Sequence, residues 1–184
     1  MIDSADPGSL NPFDVLLDYE RRSLTHQAGM PEQLEAPGLW RGIAFRLGDA
    51  FLVGSIGEVN EILMLPAVTS VPGTKAWMLG IANVRGTLVA VVHLRGLLEG
   101  EPFRATERTR VLVVRQATGN VGLVVDEVLG QRSFVEEQRT DLMVYADSPI
   151  SRFLSHEYRQ GASTWGVVNV GALMRAPDFM QAAA

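Results

Sequence analysis

The sequence predicts a mainly β domain of two lobes around a common core, preceded by a short helical extension. Two hairpin-like runs, 39–54 and 110–125, are each followed by an acid and a valine, Glu58-Val59 and Glu127-Val128. A spacing of about 70 residues gives each lobe the size of a small barrel. Between the runs, Thr87 to Val92 is apolar on both faces, as a strand packed on two sides must be, and its expected place is the shared core.

The elements follow in order. Residues 1–38 form the extension: Asn11 reads as an N-cap, Pro12 as the first helical position and Asp14 as an acid in the first turn. Phe13, Leu16, Leu17 and Leu24 make a stripe expected to dock on the main body or a partner. Gly29, Pro31, Pro37 and Gly38 then mark a linker, so the main domain is expected over 39–184.

Within it, Leu39–Leu47 and Ala50–Gly54 read as strands joined at Gly48-Asp49. Ser55–Ile62 reads as a brief helix closed by Pro66. The second hairpin pairs Arg110–Arg115 with Val121–Val125 through a turn at Thr118-Gly119-Asn120. Asp141–Ser155 reads as a connection around Pro149 with one helical turn, Thr164–Val170 as a final strand, and Pro177–Ala184 as a frayed helix.

Composition narrows the function. The chain has 184 residues, 47% hydrophobic and 20% charged, enough to build a core without metal or disulfide. Its net charge of -5 and lack of a Lys/Arg cluster interleaved with aromatics argue against a nucleic-acid partner. Zero cysteines remove disulfides, thiolate metal sites and cysteine nucleophiles together. Nothing resembles a signal peptide or a run of about 18 apolar residues. A cytoplasmic protein without membrane insertion is expected.

Catalytic signatures are sparse. His26, His93 and His156 lie far apart and none has metal-ligand spacing, so neither metal nor cofactor is expected. No P-loop, GxGxxG or GxSxG occurs. Asp126 and Glu127 are adjacent, so on a strand they would face opposite sides and form no carboxylate dyad. The rival reading is a small β-barrel enzyme or ligand-binding domain using His93 with Asp126 or Glu127. A third is a purely structural subunit.

Arg85 sits in Asn83-Val84-Arg85-Gly86, where Gly86 permits unusual backbone angles before a core strand. It reads as a solvated turn residue, an ion-pair partner of a carboxylate such as Glu61, or an anchor for a protein partner, since arginine is enriched at interface hot spots.

Several segments, in order and at matching spacing, resemble the CheW family of chemosensory coupling proteins. Leu79-Gly80-Ile81-Ala82-Asn83-Val84-Arg85-Gly86, the strand Thr87–Val92 and His93-Leu94-Arg95 resemble its pattern of glycine, asparagine, Arg-Gly, apolar strand and Asp-Leu-Arg. Val121-Gly122-Leu123-Val124-Val125-Asp126-Glu127-Val128 resembles its glycine-apolar-Asp-x-Val signature, and Glu58-Val59-Asn60-Glu61-Ile62 and Pro72-Gly73 match upstream segments. The N-terminal helix followed by Gly42–Gly48 resembles the member that serves type IV pilus twitching motility. The chain departs from the pattern at His93, where the family usually carries aspartate.

The resemblance implies two five-stranded SH3-like β-barrels around a shared hydrophobic core, and no active site. It implies an adaptor that binds the regulatory domain of a CheA-type histidine kinase and the cytoplasmic tip of a chemoreceptor, in the cytoplasm at membrane-bound receptor arrays. Kinase contacts are expected at Glu58, Val59, Glu61, Asn83, Arg85 and Gly86, with Glu61 and Arg85 paired. Receptor contacts are expected in an inter-lobe groove at Val84, Leu88, Val121, Leu123, Asp126 and Val128.

Overall fold

A computed structural model describes residues 12–25, 38–116 and 119–183. They fall into two units divided between Ala36 and Pro37. The first holds α1 (Pro12–Thr25), with Asp14 in its first turn and an Asp18–Arg22 ion pair of 2.8 Å one turn apart. Phe13, Leu16 and Leu17 share a face by spacing. Asn11, the Leu24 side chain and the linker up to Pro37 lie outside the described residues.

The second unit is mainly β, as expected, and is built from two sheets. One contains β1 (Leu39–Leu47), β2 (Ala50–Ser55), β8 (Glu127–Val135), β9 (Arg139–Thr140), β10 (Leu154–Gln160) and β11 (Ser163–Val168), in the order β8-β1-β2-β11-β10-β9. The other contains β3 (Val59–Met64), β4 (Met78–Val84), β5 (Thr87–His93), β6 (Arg110–Gln116) and β7 (Gly119–Val125), in the order β3-β6-β7-β5-β4. We call them lobe A and lobe B.

The two repeat one plan. An antiparallel hairpin, β1–β2 or β6–β7, lies parallel to the last strand of a second hairpin, β10–β11 or β4–β5. After each first hairpin the chain crosses to the other lobe, β2 to β3 and β7 to β8. The Glu-Val pairs mark these crossovers. Lobe B is therefore one continuous stretch set between two parts of lobe A.

Both sheets bring their edges together. In lobe A, β8 passes through a 3-10 turn at Glu136–Gln138 into β9, which pairs with β10, so β8 and β9 act as one bent fifth strand. In lobe B, the segment after β3 makes an isolated bridge, with Thr69 and Ile81 exchanging hydrogen bonds of 2.9 and 2.8 Å. Gly80 beside it has φ 140, and a Cβ there would run into the Thr69 carbonyl. Only glycine allows that approach.

Three apolar clusters fill the unit. Phe45, Leu47 and Leu52 of lobe A meet Val92, Leu112 and Leu123 of lobe B in a shared core. Lobe A's own interior is largely aromatic, with Phe134, Tyr158 and Trp165, whereas lobe B's is aliphatic, with Ala82, Val91, Val111, Val113 and Val124. Strand β5 serves two of these cores: Val92 faces the shared one and Val91 the lobe interior. Its start does not follow the expectation, because Leu88 is 71% exposed.

Two short helices follow equivalent strands, α2 (Leu94–Glu99) after β5 and α3 (Val170–Arg175) after β11. Helix α4 (Pro177–Met180) stacks Phe179 on Trp77 at 6.2 Å. No element is expected from the sequence where α2 lies, and the final strand, expected over Thr164–Val170, ends at Val168, with Val170 opening α3.

The segment read as a helix, Ser55–Ile62, is instead the crossover and β3. A bulge leaves Asn60 without a partner between the Val59↔Val114 and Glu61↔Val113 pairs. The extra residue gives its apolar positions a helix-like spacing. Of the turn expected at Thr118-Gly119-Asn120, Gly119 and Asn120 belong instead to β7 and pair with Gln116 and Arg115. Thr118 lies outside the described residues.

Candidate functional site

The β4–β5 connection is a two-residue turn closed by the Val84↔Thr87 pair. Arg85 has φ 50 and Gly86 φ 84, the two positive values that a type I′ turn needs. Glycine accepts that conformation freely; for Arg85 it costs on the order of 1 kcal/mol. The Asn83 side chain supports the turn, its Oδ1 accepting from the Gly86 N–H at 2.7 Å.

Held this way, Arg85 reaches from one edge of lobe B to the other and pairs with Glu61 of β3, Nη2 to Oε1 2.6 Å. Glu61 alternates with Leu63 on the barrel's interior side and is 23% exposed, while Arg85 is 81% exposed. The pair spans the barrel mouth with its cation toward solvent. Four expected kinase-side residues, Glu61, Asn83, Arg85 and Gly86, thus come together.

Glu58 and Val59 do not join them. Burial raises the Glu58 pKa, opposed by backbone hydrogen bonds from Ser55 and Gly171, which places this carboxylate by the first turn of α3. Val59 packs against the shared core.

The expected receptor residues also divide. Leu88 is opposite Asn83 and solvent-facing, and Val84 is half-buried at the same turn. Val121 and Leu123 are buried in the shared core and line no open groove, while half-buried Val128 packs on the edge of that core. Their strand alternation places them beneath the other lobe. On β5 the same face runs from exposed Leu88 through half-buried Ala90 to buried Val92.

A second polar cluster occupies the β7–β8 crossover. The Asp126 Oδ2 accepts from the Gly48 N–H of the β1–β2 turn at 2.6 Å and lies 3.9 Å from Arg95 of α2. Arg95 pairs more closely with Glu99, 3.1 Å, one turn along. Glu127 faces the other way, toward Arg46 at 3.4 Å and Arg108 at 3.7 Å. As expected, the adjacent acids serve different partners. They join elements of both lobes.

Arg95 has no role expected from the sequence, where its signals are its place in the Asp-Leu-Arg-like run and the i,i+4 spacing to Glu99. A cleft of about 290 Å³ opens beside it, lined by His93, Arg95, Glu101, Pro102, Arg104 and Asp126.

His93 is part of this wall but is committed to the backbone. As N-cap of α2, its Nδ1 accepts from the Gly96 N–H at 3.1 Å. The residue is 6% exposed and its ring meets Phe103 edge-on at 5.1 Å. Burial lowers its pKa, partly offset by Asp126. In lobe A, Asn169 fills the same place, capping α3 through Oδ1 and the Ala172 N–H at 2.8 Å. An aspartate would present an equivalent acceptor, so the substitution at His93 keeps the hydrogen bond and drops the charge. Among the described residues, no group of His, Asp and Glu is placed to hold a metal ion.

The sequence comparisons agree with this architecture. A family model described as the CheW-like domain matches residues 41–178. The chain is 36% identical over 172 residues to Protein PilI of Pseudomonas aeruginosa, covering 94% of this chain and 96% of that protein. To the probable chemotaxis protein CheW of Rhizobium etli it is 31% identical over 119 residues, covering 65% and 74% respectively. The scaffolding protein TtCheW from Thermoanaerobacter tengcongensis shares the fold, with a TM-score of 0.65 at 19% identity over 76% of this chain and 94% of that one. The matched segments include the Arg85 turn, the β5 strand and both crossovers, and on that ground the chain belongs to the CheW-like domain family.

Proposed function

We propose that the chain is a non-catalytic adaptor that couples a chemoreceptor to a CheA-type histidine kinase. The observation that carries this reading is the Arg85 turn. A cation held in a costly backbone conformation, pinned by Glu61 and left facing solvent, is pre-ordered for a partner. Little entropy remains to be lost when a protein surface closes over it.

The kinase's regulatory domain would meet Glu61, Asn83, Arg85 and Gly86, with Glu58 and Val59 supporting from the crossover. Leu88, Val84 and Asp126 are the open positions for the receptor tip, while Val121, Leu123 and Val128 form the core wall behind them. Holding both partners at fixed geometry lets the receptor's conformational equilibrium bias the kinase. The adaptor itself transfers no phosphoryl group and requires no cofactor. No described helix is long and apolar enough to cross a membrane, and the receptor would supply attachment to the array. Near full-length similarity to PilI supports a pathway controlling type IV pilus twitching motility.

The enzyme reading is disfavoured by the His93 geometry, because Nδ1 already accepts from Gly96 and is unavailable as a base. Isothermal titration against the regulatory domain of the organism's own CheA-type kinase tests the adaptor reading, with Arg85→Ala alongside. Saturable binding that weakens in a variant with an unchanged melting curve supports it. A well-folded wild type that does not bind removes it.

A further inference from the structure

We propose that His93 makes the cap of α2 an acid-released contact: the neutral imidazole holds the helix start, and protonation lets it go. The inference concerns the folded chain alone and does not depend on the adaptor reading.

The geometry allows one protonation state. A ring nitrogen can accept from the Gly96 N–H only while it carries no proton, so imidazolium cannot make this bond. Position 96 is glycine, and a Cβ there would crowd both His93 Nδ1 and Trp77 Cβ. Protonation would also place a cation at the positive end of the helix. The His93 N–H still donates to the Trp77 carbonyl at 2.8 Å, so the backbone stays anchored while the side chain lets go.

The surrounding charges are mixed. Arg95 and Glu99 come from α2, Glu101 and Arg104 from the segment after it, and Asp126 from the β7–β8 crossover; Phe103 contributes only its ring edge. Asp126, Glu101 and Glu99 favour the proton, Arg95 opposes it, and burial outweighs them to keep the pKa below the ordinary 6.5. Release therefore begins as pH falls below that value.

Its structural consequence lies in Arg95, the second residue of α2, which faces Asp126 and packs over the Gly48 turn of lobe A. Loosening α2 loosens a contact between lobes. Helix α3 has no such dependence, because Asn169 does not titrate.

The test is an NMR pH titration of the full chain from 7.5 to 5, following the His93 ring and amide exchange at Gly96, Gly100 and Ala172. In the wild type, exchange at Gly96 and Gly100, corrected for intrinsic pH dependence, should rise roughly tenfold as the ring titrates, the scale of one lost cap. Ala172 should stay level. In His93→Asn, which keeps an acceptor, all three should stay level. The proposal is overturned if the ring remains neutral to pH 5, if it titrates without change at Gly96, or if Ala172 loosens in parallel, which would indicate global unfolding.

Discussion

Lobes A and B share a strand plan but achieve stability by different means. Lobe A has an aromatic interior in which Phe134 and Tyr158 stack at 4.7 Å and the β8–β9 strand completes the wall with two residue pairs. Lobe B has an interior of valines, and one backbone bridge at Thr69 joins its edges. Lobe A also buries a carboxylate: Glu157 accepts from the Val144 and Tyr145 N–H groups at 3.2 and 2.9 Å and fixes the loop before β10. Lobe A combines packed rings with the bent β8–β9 connection, whereas lobe B relies on close backbone approach at Gly80 and Thr69. The same plan can thus carry a rigid frame on one side and an exposed, strained turn on the other.

The largest effect should come from the rings. Phe134→Ala is expected to cost about 3–5 kcal/mol in urea unfolding, while Val124→Ala in lobe B should cost about 2 kcal/mol. Equal costs would remove the distinction between the two interiors. Next, Gly80→Ala should destabilise by about 2–3 kcal/mol by forcing a side chain into a positive-φ site against Thr69. A silent Gly80→Ala would mean that the bridge is not what joins lobe B's edges.

The caps provide a finer comparison. His93→Ala and Asn169→Ala should each cost about 1 kcal/mol by thermal melting at neutral pH. They should part company in acid. With its folded pKa below 6.5, His93 favours the unfolded state once that chain begins to take up a proton. Its contribution is complete above pH 6.5 and is lost as pH falls toward the folded pKa. His156, also lowered by burial, adds the same sign from lobe A. His93→Asn should therefore flatten part of the acid loss of stability, and Asn169→Asp should leave the His93 part intact.

The smallest effect is expected at Arg85. Its pair with Glu61 is mostly solvent-exposed on one side, so Arg85→Ala should change stability by only about 0–1 kcal/mol. Arg85→Gly, which suits the turn, should leave the melting temperature level or raise it slightly. A collapse of either variant would make this residue structural.

Much of the plan could be read from residues. The hairpins at 39–54 and 110–125, the place of Val92 in the core and the Glu61–Arg85 pair all follow from local pattern or family resemblance. What escaped had physical disguises. In β10 the face opposite Tyr158 carries Glu157, only 1% exposed beneath the Val144–Tyr145 loop, so a buried strand has the polarity of a surface. In β8 the apolar ends enclose Gly130, Gln131 and Arg132, which carry no alternation. His93 is an uncommon cap, and recognising it required knowing that the chain turns helical at Leu94. Val121 and Leu123 showed the right apolar character for a groove, but only the packing of lobe A against them places them inside.

The insertion of lobe B within lobe A has a consequence for synthesis on the ribosome. Every strand of lobe B is contiguous, so that barrel can close before the C-terminal third has emerged. Strands β1 and β2 must wait, because Arg46 meets a partner 81 residues downstream at Glu127 and β2 needs β11. During that interval Phe45 and Leu52 have only lobe B's outer face to cover them. The nascent lobe B would then act as the surface on which the other half is held until its missing strands arrive.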